Sequence, residues 1–116
     1  MTKSGHVIHR IYLNDEAFLH ILDATRIASI QTKRIQKFHT VLMDVLQRGL
    51  PIDLNCIDML KTMMPVDGDN YVLIKVPSDL VASIEPNRAI LESHIHSRSW
   101  RELAVYSALL TIREHN

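Results

Sequence analysis

A chain of 116 residues with 13 basic side chains, 13 acidic ones and seven histidines is long enough for one domain with a modest core. Its zero formal net charge sets up no global field toward nucleic acid or membrane, so any basic patch must be local. A single cysteine excludes an internal disulfide and fits a reducing cytoplasm, the opening residues predict no secretory leader, and no apolar run reaches the roughly 20 residues needed to span a bilayer.

Residues 1–6 predict a loose start. Val7, Ile8, Ile11, Tyr12 and Leu13 predict either a short strand or a turn stapled onto the helix that follows. Residues 14–48 form the longest patterned stretch. They read as one long amphipathic helix, or as two helices with a soft break near 29–32. Ile21, Ala24, Ala28, Ile35, Phe38, Leu42 and Val45 recur at helical steps, with Gln31 the one polar interruption, which is the pattern of a seam for a partner helix. Asn14 predicts an N-cap, with Asp15 and Glu16 where the helix dipole favours them. Gly49 followed by Leu50-Pro51 predicts the stop.

A second helix is expected from about Asp53 to Met64 on the spacing of Leu54, Ile57, Leu60 and Met64, with Pro65 ending it. Asp67-Gly68-Asp69-Asn70 is a strong turn signal. Residues 71–76 predict a lone strand that must pair with residues 7–13 or with its copy in another subunit. A short helix is expected from Ser78 to about Ile84, a break at Glu85-Pro86, and a new helix to about Ser93. Residues 94–98 predict a polar connection. Ser99 and Glu102 predict a capping box for a last helix to about Glu114. Apolar residues wrap that last helix nearly all round, more than a small monomer easily covers. The fold class is therefore mainly α: a single helical domain, with one strand-like segment, a helix-turn-helix-like C-terminal part and an entwined oligomer. Ile21, Ala28, Ile35, Phe38, Leu42, Leu103, Tyr106 and Leu110 are its expected interface.

Catalytic motifs are missing: there is no nucleotide loop, nucleophile elbow or paired zinc-ligand motif. Cys56 reads as a small buried apolar residue. His94 and His96 lack an acidic or cysteine partner and read as a loop feature rather than a metal pair. The expectation is a protein that is not an enzyme, with no metal and no cofactor. Two basic features remain. Arg26, Lys33 and Lys37 share a helix face, with Arg34 beside them, as a solvated face or as phosphate contacts. Ser97, Arg98, Ser99 and Arg101 cluster at the start of the last helix, the end that recognition helices bring to DNA. Trp100 there serves as an anchor to the core or as a wedge against the duplex. A ribbon-helix-helix arrangement ranks lower, because of the outward-facing strand residues only Lys75 suits base readout.

The order of segments resembles the FlhD subunit of the flagellar master activator and its relatives on conjugative plasmids and integrative elements. The residues that carry this are Ile11-Tyr12, Ala17-Phe18-Leu19 ahead of Thr25-Arg26-Ile27, Leu50-Pro51 with the helix to Leu60, segment 71–76, and residues 101–113. The resemblance implies entwined helical dimers and a zinc-bearing FlhC-like partner. It further implies a hetero-oligomer on promoter DNA that recruits σ70-type RNA polymerase. It places DNA sensitivity at Ser97, Arg98, Ser99 and Trp100, and a second sensitive region around Lys37 and Phe38. Flagellar members can carry a subunit-linking cysteine in the strand-like segment; Val72 and Leu73 stand there in this chain. The competing expectation is a helical adaptor or inhibitor of phage or plasmid origin that binds only protein.

Overall fold

The computed structural model describes residues 5–116, so the expectation for residues 1–4 lies outside the described residues. Alternation of side chains decides the two strands. β1 (His6–Leu13) and β2 (Asn70–Pro77) pair antiparallel, with Val7 opposite Val76 and Tyr12 opposite Tyr71. Ile11, Leu13, Val72, Ile74 and Val76 point into the core, while Ile8, Tyr12, Tyr71 and Leu73 stay outward. The strand at 71–76 thus finds its partner within the chain, in residues 7–13 rather than in another subunit.

The turn before β2 sits directly on the start of the first helix. A Cβ on Gly68 would lie 2.7 Å from the carbonyl carbon of Leu13, and closer still to the Asn14 backbone. Backbone cannot swing aside as a side chain can. Gly68→Ala is therefore expected to cost about 1–3 kcal/mol through overpacking, measured as a lowered urea midpoint with an unchanged m-value.

Residues 14–48 fold as two helices, and the break falls after the position expected. α1 (Asp15–Thr32) begins at Asn14, whose side chain accepts from Ala17 N at 2.8 Å. It ends at Lys33, which takes the left-handed conformation with φ 58°. Lys33 N donates to Ile30 O and Arg34 N to Ser29 O, the bond pair of a Schellman C-cap. Thr25, Ser29 and Thr32 all bond back to carbonyls four residues earlier, which weakens a helix's hold on its own ladder. α2 (Phe38–Gln47) then folds back against α1. Ile35 falls in the turn, 99% exposed, and so drops out of the expected seam.

α3 (Leu54–Met63) starts at Asp53, whose carboxylate accepts from Asn55 N and Cys56 N. α4 (Ser78–Ile95) runs unbroken through Pro86, against the expected break, and takes in His94 and Ile95, so that the connection expected at 94–98 starts at His96. Both halves are tied to one core by Ile84, Leu91 and Ile95, and Asn87 bonds the carbonyl of Gly49. That anchoring outweighs the single ladder bond that proline removes.

α5 (Trp100–His115) is the centre of the molecule. It packs on α1, α2, α3 and β1, and Leu103 through Leu110 are all buried within one chain. The radius of gyration is 13.5 Å, about the 13 Å expected of a single folded domain near this length. Ile21, Phe38, Leu42, Leu103, Tyr106 and Leu110 are therefore spent on the chain's own core. Ala28 packs partly against that core. Most of the apolar excess read from the sequence is covered by folding, while Leu19, Leu22 and Ile30 of α1 and the outward residues of the two strands stay exposed.

Candidate nucleic-acid interface

Two basic features were candidates, and the structure treats them differently. The first is the corner between α4 and α5. Ser99 caps α5, its hydroxyl accepting from Arg101 N at 3.1 Å. Glu102 does not reach back to Ser99, so the capping box is only half built. Its buried carboxylate instead accepts from Ser97 Oγ at 2.6 Å and from Arg101 Nε at 3.0 Å. Ser97 Oγ in turn accepts from Ser99 N at 3.2 Å. Arg98 bridges Glu85 at 2.9 Å and Glu92 at 3.1 Å. Arg88 pairs with Glu85 at 3.4 Å and donates to the carbonyl of Arg98. Three arginines here meet three glutamates, which leaves no surplus positive charge.

Trp100 is buried and serves as an anchor. His9 of β1 stacks on it with ring centroids 4.4 Å apart, and the Arg88 guanidinium lies 4.8 Å from its ring centre. This ties the first strand to the start of the last helix. A tryptophan held this way is not free to wedge into a duplex. The body of α5 is likewise closed to a groove. A recognition helix must offer an exposed face to the groove, and α5 is buried on all sides from Leu103 to Leu110.

His9 Nε2 is buried without a hydrogen-bond partner. Burial, then the positive charge of Arg88, lower the pKa of this imidazole. A histidine with a depressed pKa binds its proton more readily in the unfolded chain. Stability should therefore fall as pH drops below about 6.5, the ordinary histidine value. Urea midpoints from pH 7 to 5 check this: His9→Gln should flatten the acid limb, and an equally steep limb in that variant would assign the effect elsewhere.

The second feature is the turn between α1 and α2. Ser29 Oγ accepts from Gln36 N at 2.9 Å, Gln36 Nε2 donates to Thr32 Oγ1 at 2.7 Å, and Thr40 Oγ1 donates to Gln36 Oε1 at 3.3 Å. These uncharged groups fix the backbone of residues 33–36 and leave the long side chains outside. Lys33, Arg34, Ile35 and Lys37 are all exposed. Arg26 lines the same shallow depression as Lys33, Arg34 and Ile35, with its guanidinium 2.8 Å from Asp23. Among the described residues, Lys33, Arg34 and Lys37 form no ion pair. The chain matches no family model, no curated protein and no solved structure.

Of the basic residues singled out in the sequence, Arg26 and Lys33 thus come together, Lys37 stands at the start of α2, and Arg98 and Arg101 are neutralised by glutamates. Arg34 joins the unpaired set. Sequence reasoning passed over the outward row on α1, Leu19, Leu22 and Ile30, although its spacing was readable. It also passed over His9, which carried no signal until the fold set it against Trp100. Among the described residues, no group of three histidine, cysteine or acidic side chains converges as a metal site would require.

Proposed function

We propose that this chain is a DNA-binding regulatory subunit that works within a larger assembly, with the α1–α2 turn as its phosphate contact. One observation carries the reading: three exposed cations, Lys33, Arg34 and Lys37, form no ion pair among the described residues and project from a turn whose backbone is already fixed by Ser29, Thr32, Gln36 and Thr40. A fixed backbone reduces the ordering cost of binding, and phosphate contacts supply affinity and position rather than sequence readout. Base readout then falls to the partner. The resemblance to FlhD-type activators supports a zinc-bearing FlhC-like subunit in that role, and promoter DNA and RNA polymerase as further members.

Mobility shifts with and without a co-expressed partner test this. Three phosphate contacts predict that the logarithm of affinity falls with the logarithm of salt with a slope of about −3 from this turn alone. Affinity indifferent to salt would overturn the assignment. Arg98→Ala separates the two basic features, because it should leave DNA binding unchanged if the turn is the contact.

A second reading, an adaptor or inhibitor that binds only protein, is favoured by the corner, where every arginine is matched by a glutamate. Recovery of the partner with no DNA retained at any salt concentration would select it.

A further inference from the structure

The outer face of α1 carries its own order. Asp15, Leu19, Leu22, Arg26 and Ile30 follow one another at three- and four-residue steps and share one side of the helix, and the C-cap Lys33 lines the same depression as Arg26 and Ile30. That side points directly away from Ala17, Ile21 and Ala24, which face the core. Leu19 is 63% exposed, Leu22 49% and Ile30 56%. Single exposed leucines need no explanation, but a row at helical spacing is a packing seam without its partner.

The charges say what covers it. The row runs from an acid at the N-terminal end, through aliphatic residues, to bases at the C-terminal end. A parallel copy would set Asp15 against Asp15 and Lys33 against Lys33. An antiparallel copy sets Asp15 against Lys33, Leu19 against Ile30, and Leu22 against the stem of Arg26. Every position along the row is then matched, and reversal alone does this. Isologous two-fold contacts are the commonest way identical chains associate. We infer that a second copy of this chain packs antiparallel along the outer face of α1, with Leu19, Leu22 and Ile30 of each copy at the seam. Arg34 and Lys37 lie beyond the end of α1 and stay available outside it. This dimer does not depend on the DNA reading, and its test uses no DNA.

Sedimentation equilibrium of the full chain measures the association. The wild type should be a dimer at micromolar concentration. Leu22→Glu, and separately Ile30→Glu, should weaken it by roughly a hundredfold, as expected for a charge buried at the centre of an interface. Both sites lie off the core, so the helical circular-dichroism signal should be unchanged. Lys33→Glu, at the rim, should weaken it by about tenfold at low salt. Cysteine pairs report the direction. Leu19→Cys mixed with Ile30→Cys should cross-link under mild oxidation, whereas Leu19→Cys alone should not; the native Cys56 is buried and silent. A monomeric wild type, a Leu22→Glu variant that dimerises normally, or cross-linking in the Leu19→Cys variant alone would each overturn the inference.

Discussion

Tyr106→Phe should destabilise the fold by about 2–3 kcal/mol, far more than the loss of one oxygen from a surface tyrosine. The Tyr106 hydroxyl donates to Pro51 O at 2.6 Å and accepts from Asp53 N at 2.7 Å, in a fully buried position. It therefore closes the chain between α2 and α3 onto α5. Phenylalanine keeps the ring packing but takes this partner from a part-buried carbonyl and a part-buried N–H, and an orphaned buried group costs about 1–3 kcal/mol. For a chain of this size the melting temperature should fall by roughly 10 °C. Tyr71→Phe, outward on β2, is the control and should stay within about 0.5 kcal/mol. An unchanged Tyr106→Phe melting curve would remove this bond pair from the account of the fold.

The same hydroxyl gives the sign of the alkaline limb. Burial pushes the Tyr106 phenol up to about 12 from an ordinary 10, and the Cys56 thiol up to about 11 from 9. An acid with a raised folded pKa contributes stability that is complete below its unfolded pKa and lost as pH climbs to the folded one. Stability should thus begin to fall above pH 9 through Cys56, and above pH 10 through Tyr106 as well. In Tyr106→Phe the second part should vanish, so the urea midpoints of wild type and variant should converge with rising pH.

The largest expected effect on function is at the basic turn. The triple variant Lys33→Ala, Arg34→Ala, Lys37→Ala should weaken DNA binding by the proposed assembly by about a hundredfold or more at low salt. It should also lower the magnitude of the salt slope by about 3, one for each phosphate that is no longer neutralised. The loss should be uniform across DNA sequences, because phosphates carry no base information. Folding should survive, since the turn is built from Ser29, Thr32, Gln36 and Thr40 and the three removed side chains are exposed. Retained affinity with an unchanged slope would shift attention to the partner or to the protein-only reading. Lys33 is shared with the proposed dimer seam, so Arg34→Ala with Lys37→Ala, both outside it, separates loss of DNA contact from loss of association.

Local signals were legible where a short stretch of chain decides the outcome alone. Asn14 caps α1 as expected because its side chain needs only an N–H three residues on. Asp53 and Pro65 bracket α3, and residues 71–76 form a strand, for similarly local reasons. Pro86 misled for an instructive reason. Its helix-breaking cost is local, but the contacts of Ile84, Leu91 and Ile95 that outweigh it come from elements distant in sequence. At the corner, Arg98 looks free in the sequence until α4 brings Glu85 and Glu92 to it.

Periodicity in the sequence determined which residues are apolar on which face of each helix, where most helices begin, and that two runs alternate as strands. It could not determine whether an apolar face meets its own chain or another, because that depends on how elements far apart along the chain stack. The tertiary structure decided it: α5, greasy all round, is wrapped by α1, α2, α3 and β1. What stays uncovered is more modest: the row on the far side of α1 and the outward residues of the two strands. Burial is a property of assembled neighbours, whereas spacing along one helix says only what could be buried.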